Sequence, residues 1–170
     1  MPTPMTRIAT IEDADAIARI YNEGIADRIA TFETEPRTAA MIAAWFDGKH
    51  PVVMVEANDE IIAFASTSIY RPRDCYRHIA EFSVYVDRAH RGHGYGRMAM
   101  EGLFDASREA GFSKLVSRVF PENRASLSLL GKLGFREVGI YERHGQLDGV
   151  WRDVVIVEKL LTPLNAETTV

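Results

Sequence analysis

The chain has 170 residues, a formal net charge of −4 and no face-long basic run, which fits one domain with its own core and excludes a general nucleic-acid binder. Cys75 is the single cysteine, so an intrachain disulfide is excluded, and no apolar run approaches bilayer-spanning length. Met1-Pro2-Thr3-Pro4 has none of the apolar character of a signal peptide, so a cytoplasmic location away from membranes is expected.

In chain order, residues 7–11 read as a first strand. Thr10, with Asp13 three positions on, can cap the helix that follows. Ile17, Ile20, Tyr21 and Gly24 then recur at helical spacing over residues 13–27. Residues 30–36 form a loop. A second helix over 38–47 places Met41, Ile42 and Trp45 on its core side and stops near Gly48. Residues 52–56 and 61–69 read as a hairpin across Ala57-Asn58-Asp59-Glu60. The alternation over 79–86 is the clearest strand, and 97–110 is a helix with Met100, Leu103, Phe104 and Ser107 inward. Gly111 ends that helix as a left-handed cap, with Phe112 placed for the accompanying hydrophobic contact. A strand over 115–120, a short helix over 125–133 ended by Gly134, and strands over 135–142 and 151–160 complete the chain. Residues 163–170 lack periodicity and read as a loose tail. The order β-α-α-β-β-β-α-β-α-β-β implies an α/β fold with a mixed sheet and helices on both faces.

The strand ending Val84-Tyr85-Val86 runs into Arg91-Gly92-His93-Gly94-Tyr95-Gly96-Arg97, and a helix begins at once. Glycines clear side chains from such a loop so that a phosphate can touch the backbone. The first free N–H groups of the following helix then point at that phosphate, and Arg91 and Arg97 would add positive charge. The spacing is neither the dinucleotide fingerprint nor a Walker loop. A tight strand-to-helix turn without a ligand is the bland alternative.

Arg91-x-x-Gly94-x-Gly96 after Val84-x-Val86 resembles the acetyl-CoA loop of the GNAT N-acetyltransferase superfamily. Asn123, Ala125-Ser126 and Lys132-Leu133-Gly134-Phe135 resemble its second motif. A narrower likeness covers nearly the whole chain. Thr31-Phe32-Glu33-Thr34-Glu35-Pro36, Ala80-Glu81-Phe82-Ser83-Val84-Tyr85-Val86 and Gly149-Val150-Trp151-Arg152-Asp153 are similar to phosphinothricin acetyltransferases, and most of all to the arsinothricin N-acetyltransferase branch. The resemblance implies a single GNAT-type domain over 5–162, with a mostly antiparallel twisted sheet of about seven strands between helices. It also implies acetyl-CoA as donor. The donor would be held by Val84, Tyr85, Val86, Arg91, Gly92, His93, Gly94, Tyr95, Gly96 and Arg97, with Asn123 and Ser126 on the pantetheine arm. Asn123 alone would equally serve as a helix N-cap. The implied acceptor is the α-amine of a glutamate-like antibiotic with a phosphinate or arsinate head, so that transfer confers resistance. Glu142-Arg143-His144 and Trp151 resemble the segment through which such enzymes form homodimers.

Acetyl transfer needs a neutral amine, so a base must take its proton. On the strand over 79–86, Glu81, Ser83 and Tyr85 share one face. A carboxylate in an otherwise apolar strand is the unusual feature, and half-burial would suit it to catalysis. The bland alternative is a wet glutamate or one paired to an arginine. By position Glu81 matches the general base proposed for phosphinothricin acetyltransferases. The tyrosine that many relatives offer to the leaving thiolate corresponds to Leu130, so no general acid is assigned. Arginine forks suit a carboxylate or oxyanion head. Tyr70-Arg71-Pro72-Arg73-Asp74-Cys75-Tyr76-Arg77 resembles the family's substrate loop, with Arg73 and Tyr76 foremost, then Arg71. Arg118, inside a strand, needs a partner or a ligand; Glu81 is the alternative partner. Phe32 resembles an aromatic that packs on the substrate and would otherwise anchor its loop; Tyr85 is placed at both donor and acceptor. His50, His78, His90, His93 and His144 lack ligand spacing, so no metal is expected. Cys75 reads as inert, and Met41, Trp45 and Met100 as core. The competing readings are acetylation of another small amine (methionine sulfone or sulfoximine) or of a protein N-terminus, and a non-catalytic coenzyme A sensor. A sensor would need no Glu81.

Overall fold

The computed structural model describes residues 3–161; Thr162, at the end of the expected domain, and the tail expected at 163–170 lie outside them. The elements are β1 (Met5–Ile8), α1 (Ala14–Asp27), α2 (Ala39–Ala43), β2 (Val52–Ala57), β3 (Glu60–Ile69), β4 (Ile79–Val86), α3 (Tyr95–Glu109), β5 (Lys114–Val119), α4 (Arg124–Lys132), β6 (Arg136–Leu147) and β7 (Val150–Leu160). They form one seven-stranded sheet in the order β1-β2-β3-β4-β5-β7-β6. Every pairing is antiparallel except β4 with β5, the one pair joined through a crossover helix, α3.

Strand alternation splits the core between the two faces. Val53, Val55, Ala63 and Ala65 meet Ala99, Met100 and Leu103 of α3 and Leu130 of α4 on one face. Val52, Met54 and Phe64 meet Ile17, Ile20 and Ile25 of α1 and Ile42 of α2 on the other. Ile17, Ile20, Met100 and Leu103 are wholly buried, each contributing about 1.5–3 kcal/mol relative to exposure. Both Gly-Phe helix ends close alike. After α3, Phe112 N–H bonds Ser107 C=O and Gly111 N–H bonds Arg108 C=O; after α4, Phe135 does so to Leu130 and Gly134 to Gly131. Gly111 and Gly134 both sit at φ 90°, where a side chain would be strained.

Three elements depart most from their expected ends, each for a local reason. The first strand occupies Met5–Ile8 rather than 7–11. Asp13 accepts the Thr10 N–H at 2.8 Å and both terminal nitrogens of Arg7 at 2.9 and 3.0 Å, so the capping residue also pulls the chain out of the sheet. The second helix ends at Ala43 instead of 47. Asp47 accepts the N–H groups of Lys49 and His50 at 2.8 and 2.7 Å, a turn that competes with further helix. On so short a helix Ile42 is buried and Trp45 packs beside it, whereas Met41 is 49% exposed and is not core as expected. The last hairpin runs to Leu147 and Val150 instead of stopping at 142 and resuming at 151. Asp148-Gly149, both at positive φ, make the two-residue turn that twisted strands favour.

Candidate active site

The pairing of β4 with β5 runs only from Ile79/Lys114 to Glu81/Val116. Ser117 Oγ bonds Phe82 C=O at 2.8 Å, and beyond it the two strands part. The backbone of Ser83 to Val86 then has a neighbour on the β3 side alone. A cleft of about 450 Å³ opens along Val84, Tyr85 and Val86, with Arg91, Gly92, Gly94, Tyr95, Gly96 and Arg97 at one end and Asn123, Ser126 and Leu129 along the side. It continues into the parting as a smaller gap lined by Ser83, Ser117, Arg118 and Leu130. The expected donor residues except His93 therefore line one cleft.

The glycine loop makes a turn and leaves open space beside it. Gly92 and Gly94 sit at φ 82° and 85°, and a Cβ on either would meet no atom within 4 Å. Gly96 is held for close packing, since its Cβ would come 3.2 Å from Leu129 and 3.4 Å from Val86. The first helical bond of α3 runs from Met98 N–H to Gly94 C=O. The N–H groups of Tyr95, Gly96 and Arg97 thus have no partner within the helix. This is a cradle for an anion at the positive end of a 15-residue helix.

The charged residues of the loop are less available than expected. Arg91 lies 2.8 Å from Asp27 at the end of α1 and also reaches Val86 C=O. Arg88 pairs with Asp27 at 2.7 Å. Burial works to raise the Asp27 carboxyl, and the bonds from Arg88 and Arg91 outweigh it and hold it low. Arg97 pairs with Glu101 one helical turn on. His93 is exposed, its ring on the carbonyls of His90 and Arg91. The backbone amides, rather than these side chains, supply the uncommitted donors.

The opposite face of β4 carries the expected acid–base group. Across the β3–β4 ladder, Phe64 faces Tyr85, Ser66 faces Ser83 and Ser68 faces Glu81. Apolar pairing thus gives way to hydroxyls and then to the carboxylate. A cavity of about 430 Å³ lies over this patch, lined by Ser66, Ser68, Ser83, Tyr21, Trp45 and the Arg37–Glu33 pair. Sequence reading missed this chamber. Its signal was the serine run in Ala65-Ser66-Thr67-Ser68, which becomes a site only when β3 pairs with β4. Glu81 is not in an apolar setting. Its Oε1 accepts Arg118 Nη2 at 2.8 Å and Nε at 3.1 Å, so the ion pair weighed as the bland alternative is present. Tyr85 packs edge-on against Tyr21 and stacks on Phe64. Burial pushes its phenol far up, against the influence of a hydrogen bond with Thr31. It is a neutral wall at neutral pH.

Arg71, Arg73 and Tyr76 come together in a third cavity of about 330 Å³, with Lys49, His50 and Ile79. Arg71 lies over Tyr70 and Arg73 over Tyr76. This loop enters β4 two residues before Glu81. Phe32 is placed differently: it packs edge-on against Phe120 at 4.8 Å and against Gly145, where a Cβ would come within 2.8 Å of its ring. It anchors its loop to β6. Asn123 Oδ1 accepts Ser126 N–H at 3.3 Å, so its N-cap role is realised while its NH2 group remains available to the cleft. Leu130 is buried and offers the gap no hydroxyl. Among the described residues no group of His, Cys, Asp and Glu is placed to hold a metal ion, and no helix is long and apolar enough to cross a membrane.

The profile of the acetyltransferase (GNAT) family matches residues 17–135, from α1 through the glycine loop to the end of α4. The chain belongs to this family. Among GNAT relatives, it is 31% identical over 165 residues to the L-methionine sulfoximine/L-methionine sulfone acetyltransferase of Pseudomonas aeruginosa, covering 94% of this chain and 96% of that one. It is 31% identical over 157 residues to the phosphinothricin N-acetyltransferase of Streptomyces coelicolor, covering 88% and 92%. The crystal structure of a GNAT superfamily phosphinothricin acetyltransferase from Sinorhizobium meliloti in complex with AcCoA superposes with a TM-score of 0.88 at 26% identity, covering 98% of this chain and 94% of that one.

Proposed function

We propose that this GNAT acetyltransferase moves the acetyl group of acetyl-CoA to the α-amine of a glutamate-like amino acid antibiotic of the arsinothricin or phosphinothricin type, conferring resistance. The observation that carries the reading is that one strand serves both reactants. β4 borders the anion cradle and its cleft through Val84 to Val86, and presents Glu81 and Ser83 on the face of the serine-lined chamber. The open space above Gly92 and Gly94 and the uncommitted amides of Tyr95, Gly96 and Arg97 fit a pyrophosphate. The parting of β4 from β5 fits an extended arm, with the Asn123 NH2 group beside it. Bound acetyl-CoA supplies an activated thioester and a thiolate that leaves readily.

The residues have separate tasks. Glu81 takes a proton from the acceptor ammonium, which frees the nitrogen lone pair to attack the thioester carbonyl. The nitrogen–carbon bond forms, the carbon–sulfur bond breaks with its electron pair on sulfur, and the second proton lost by nitrogen as the amide forms passes, directly or through water, to that thiolate, which leaves as coenzyme A thiol. No acyl-enzyme is needed, and Cys75 has no part. Arg71, Arg73 and Tyr76 would hold the oxyanion head by bidentate and hydroxyl contacts. Their loop enters β4 beside Glu81, which keeps amine and head within one amino acid's reach. The methionine sulfoximine/sulfone relative supports a tetrahedral head as the shared feature of the acceptor. The protein acts in the cytoplasm as a homodimer, with Glu142, Arg143, His144 and Trp151 at the subunit contact. Thiol release from acetyl-CoA, measured with phosphinothricin, arsinothricin, methionine sulfone, methionine sulfoximine and glutamate, tests the acceptor. Release with none of the tetrahedral-head amino acids would overturn it.

A further inference from the structure

Arg118 stood out in the sequence as a strand-interior cation suited to an oxyanion. The structure gives it another task. It lies on β5 two residues past Val116, where pairing with β4 ends, and its side chain reaches back across the parting to Glu81. Both of its donors go to one carboxylate oxygen: Nη2 at 2.8 Å and Nε at 3.1 Å from Oε1. Among the described residues no donor reaches Oε2. A guanidinium that satisfied a carboxylate for stability alone would favour the two-oxygen fork. Gripping one oxygen with two nitrogens pins Oε1 and leaves a single oxygen to receive a proton.

We infer that Arg118 is a positioning residue for the base: it locks Oε1 of Glu81, so that Oε2 alone is presented to the acceptor amine. This rests on Glu81 being the general base. The neighbouring geometry supports the lock. Ser117 Oγ holds Phe82 C=O, pinning β5 to β4 next to the pair, and Ser68, opposite Glu81 on β3, carries no charge that would compete for it. Arg118 itself lines the small gap between β4 and β5, so the residue that holds Glu81 also borders the parting. The Arg118 side chain is 50% exposed, so its task is one of orientation more than of stability.

The test is a double-mutant cycle on the full chain, with acetyl-CoA and phosphinothricin and thiol release as readout. Arg118→Met keeps the apolar stem and should lower kcat about tenfold, with the acceptor KM within about twofold of wild type. Arg118→Lys should recover only part of the rate, because a single flexible ammonium cannot hold Oε1 from two fixed directions. In the Glu81→Gln background, adding Arg118→Met should leave kcat within about twofold, since a residue acting through Glu81 has nothing left to position. A rise of about tenfold in acceptor KM, or effects that multiply in the double variant, would return Arg118 to the acceptor site and overturn the inference while leaving the base intact. A full rate in Glu81→Gln alone would instead remove the base, and with it the reading on which the inference rests. Arg118→Lys keeps the cation and the fold, so it carries the cycle if the methionine variant folds poorly.

Discussion

Substitution at Gly94 separates the two meanings of the glycine loop. Gly94 has φ 85° and caps α3, and a Cβ there would touch nothing within 4 Å. Gly94→Ala therefore meets no steric clash in the free protein. Its cost is that of a left-handed backbone carrying a Cβ, about 1–2 kcal/mol, or roughly 2–8 °C in Tm for a domain of this size. Gly94→Asn has the same Cβ but tolerates the left-handed region, so its Tm should fall less. If the space above Gly94 is where the pyrophosphate lies, both side chains project into it. The KM for acetyl-CoA should then rise at least about tenfold in both variants, equivalent to about 1.4 kcal/mol, with the acceptor KM little changed. Differential scanning fluorimetry gives the first quantity and thiol-release kinetics the second. The decisive case is Gly94→Asn with a near-native Tm. If it keeps a native KM for acetyl-CoA, the glycine serves the turn alone and the anion cradle is refuted.

Other expectations follow from single contacts. A Cβ on Gly24 of α1 would come 2.6 Å from the Tyr85 ring, so Gly24→Ala should destabilise by about 1–3 kcal/mol, read as a lower urea midpoint; an unchanged midpoint would mean that the ring moves freely. Arg73→Ala should raise the acceptor KM about tenfold or more and leave that of acetyl-CoA unchanged, whereas equal effects on both would make its loop structural. For Asp47, burial works to raise the carboxyl, but the backbone N–H groups of His50 and Lys49 and the His50 ring outweigh it and hold it at about 2, below the ordinary 3.8. Its folded value is depressed, so its contribution to stability is present above about pH 4 and is lost as pH falls towards 2. The Tm gap between wild type and Asp47→Asn should therefore narrow between pH 5 and about 2.5; a constant gap would contradict this.

Order and type of element were legible from the chain because the signals are local. The alternation of Ile79–Val86, the helical spacing of Ile17, Ile20, Tyr21 and Gly24, and the Gly-Phe pairs at 111–112 and 134–135 each act within a few residues, and each appears in the structure. Boundaries differ where one carboxylate gathers several nearby donors, as Asp13 and Asp47 do, and where Asp148-Gly149 makes a two-residue turn that extends both strands. The glycine loop was equally legible, since strand, loop and helix N-terminus are contiguous and the backbone itself supplies its free N–H groups. The serine-lined chamber is built from residues far apart in sequence. Ser66, Ser68, Ser83 and Glu81 share a patch only through the register of β3 on β4, and a slip of one residue would turn each to the other face. Arg118 meets Glu81 only because β5 lies parallel to β4 and leaves it after Val116. What the sequence by itself determined is the fold's elements and the glycine loop, both products of short-range backbone chemistry; which side chains share the serine-lined face, and that Arg118 reaches Glu81, depended on strand pairing across dozens of residues, which only the tertiary structure decides.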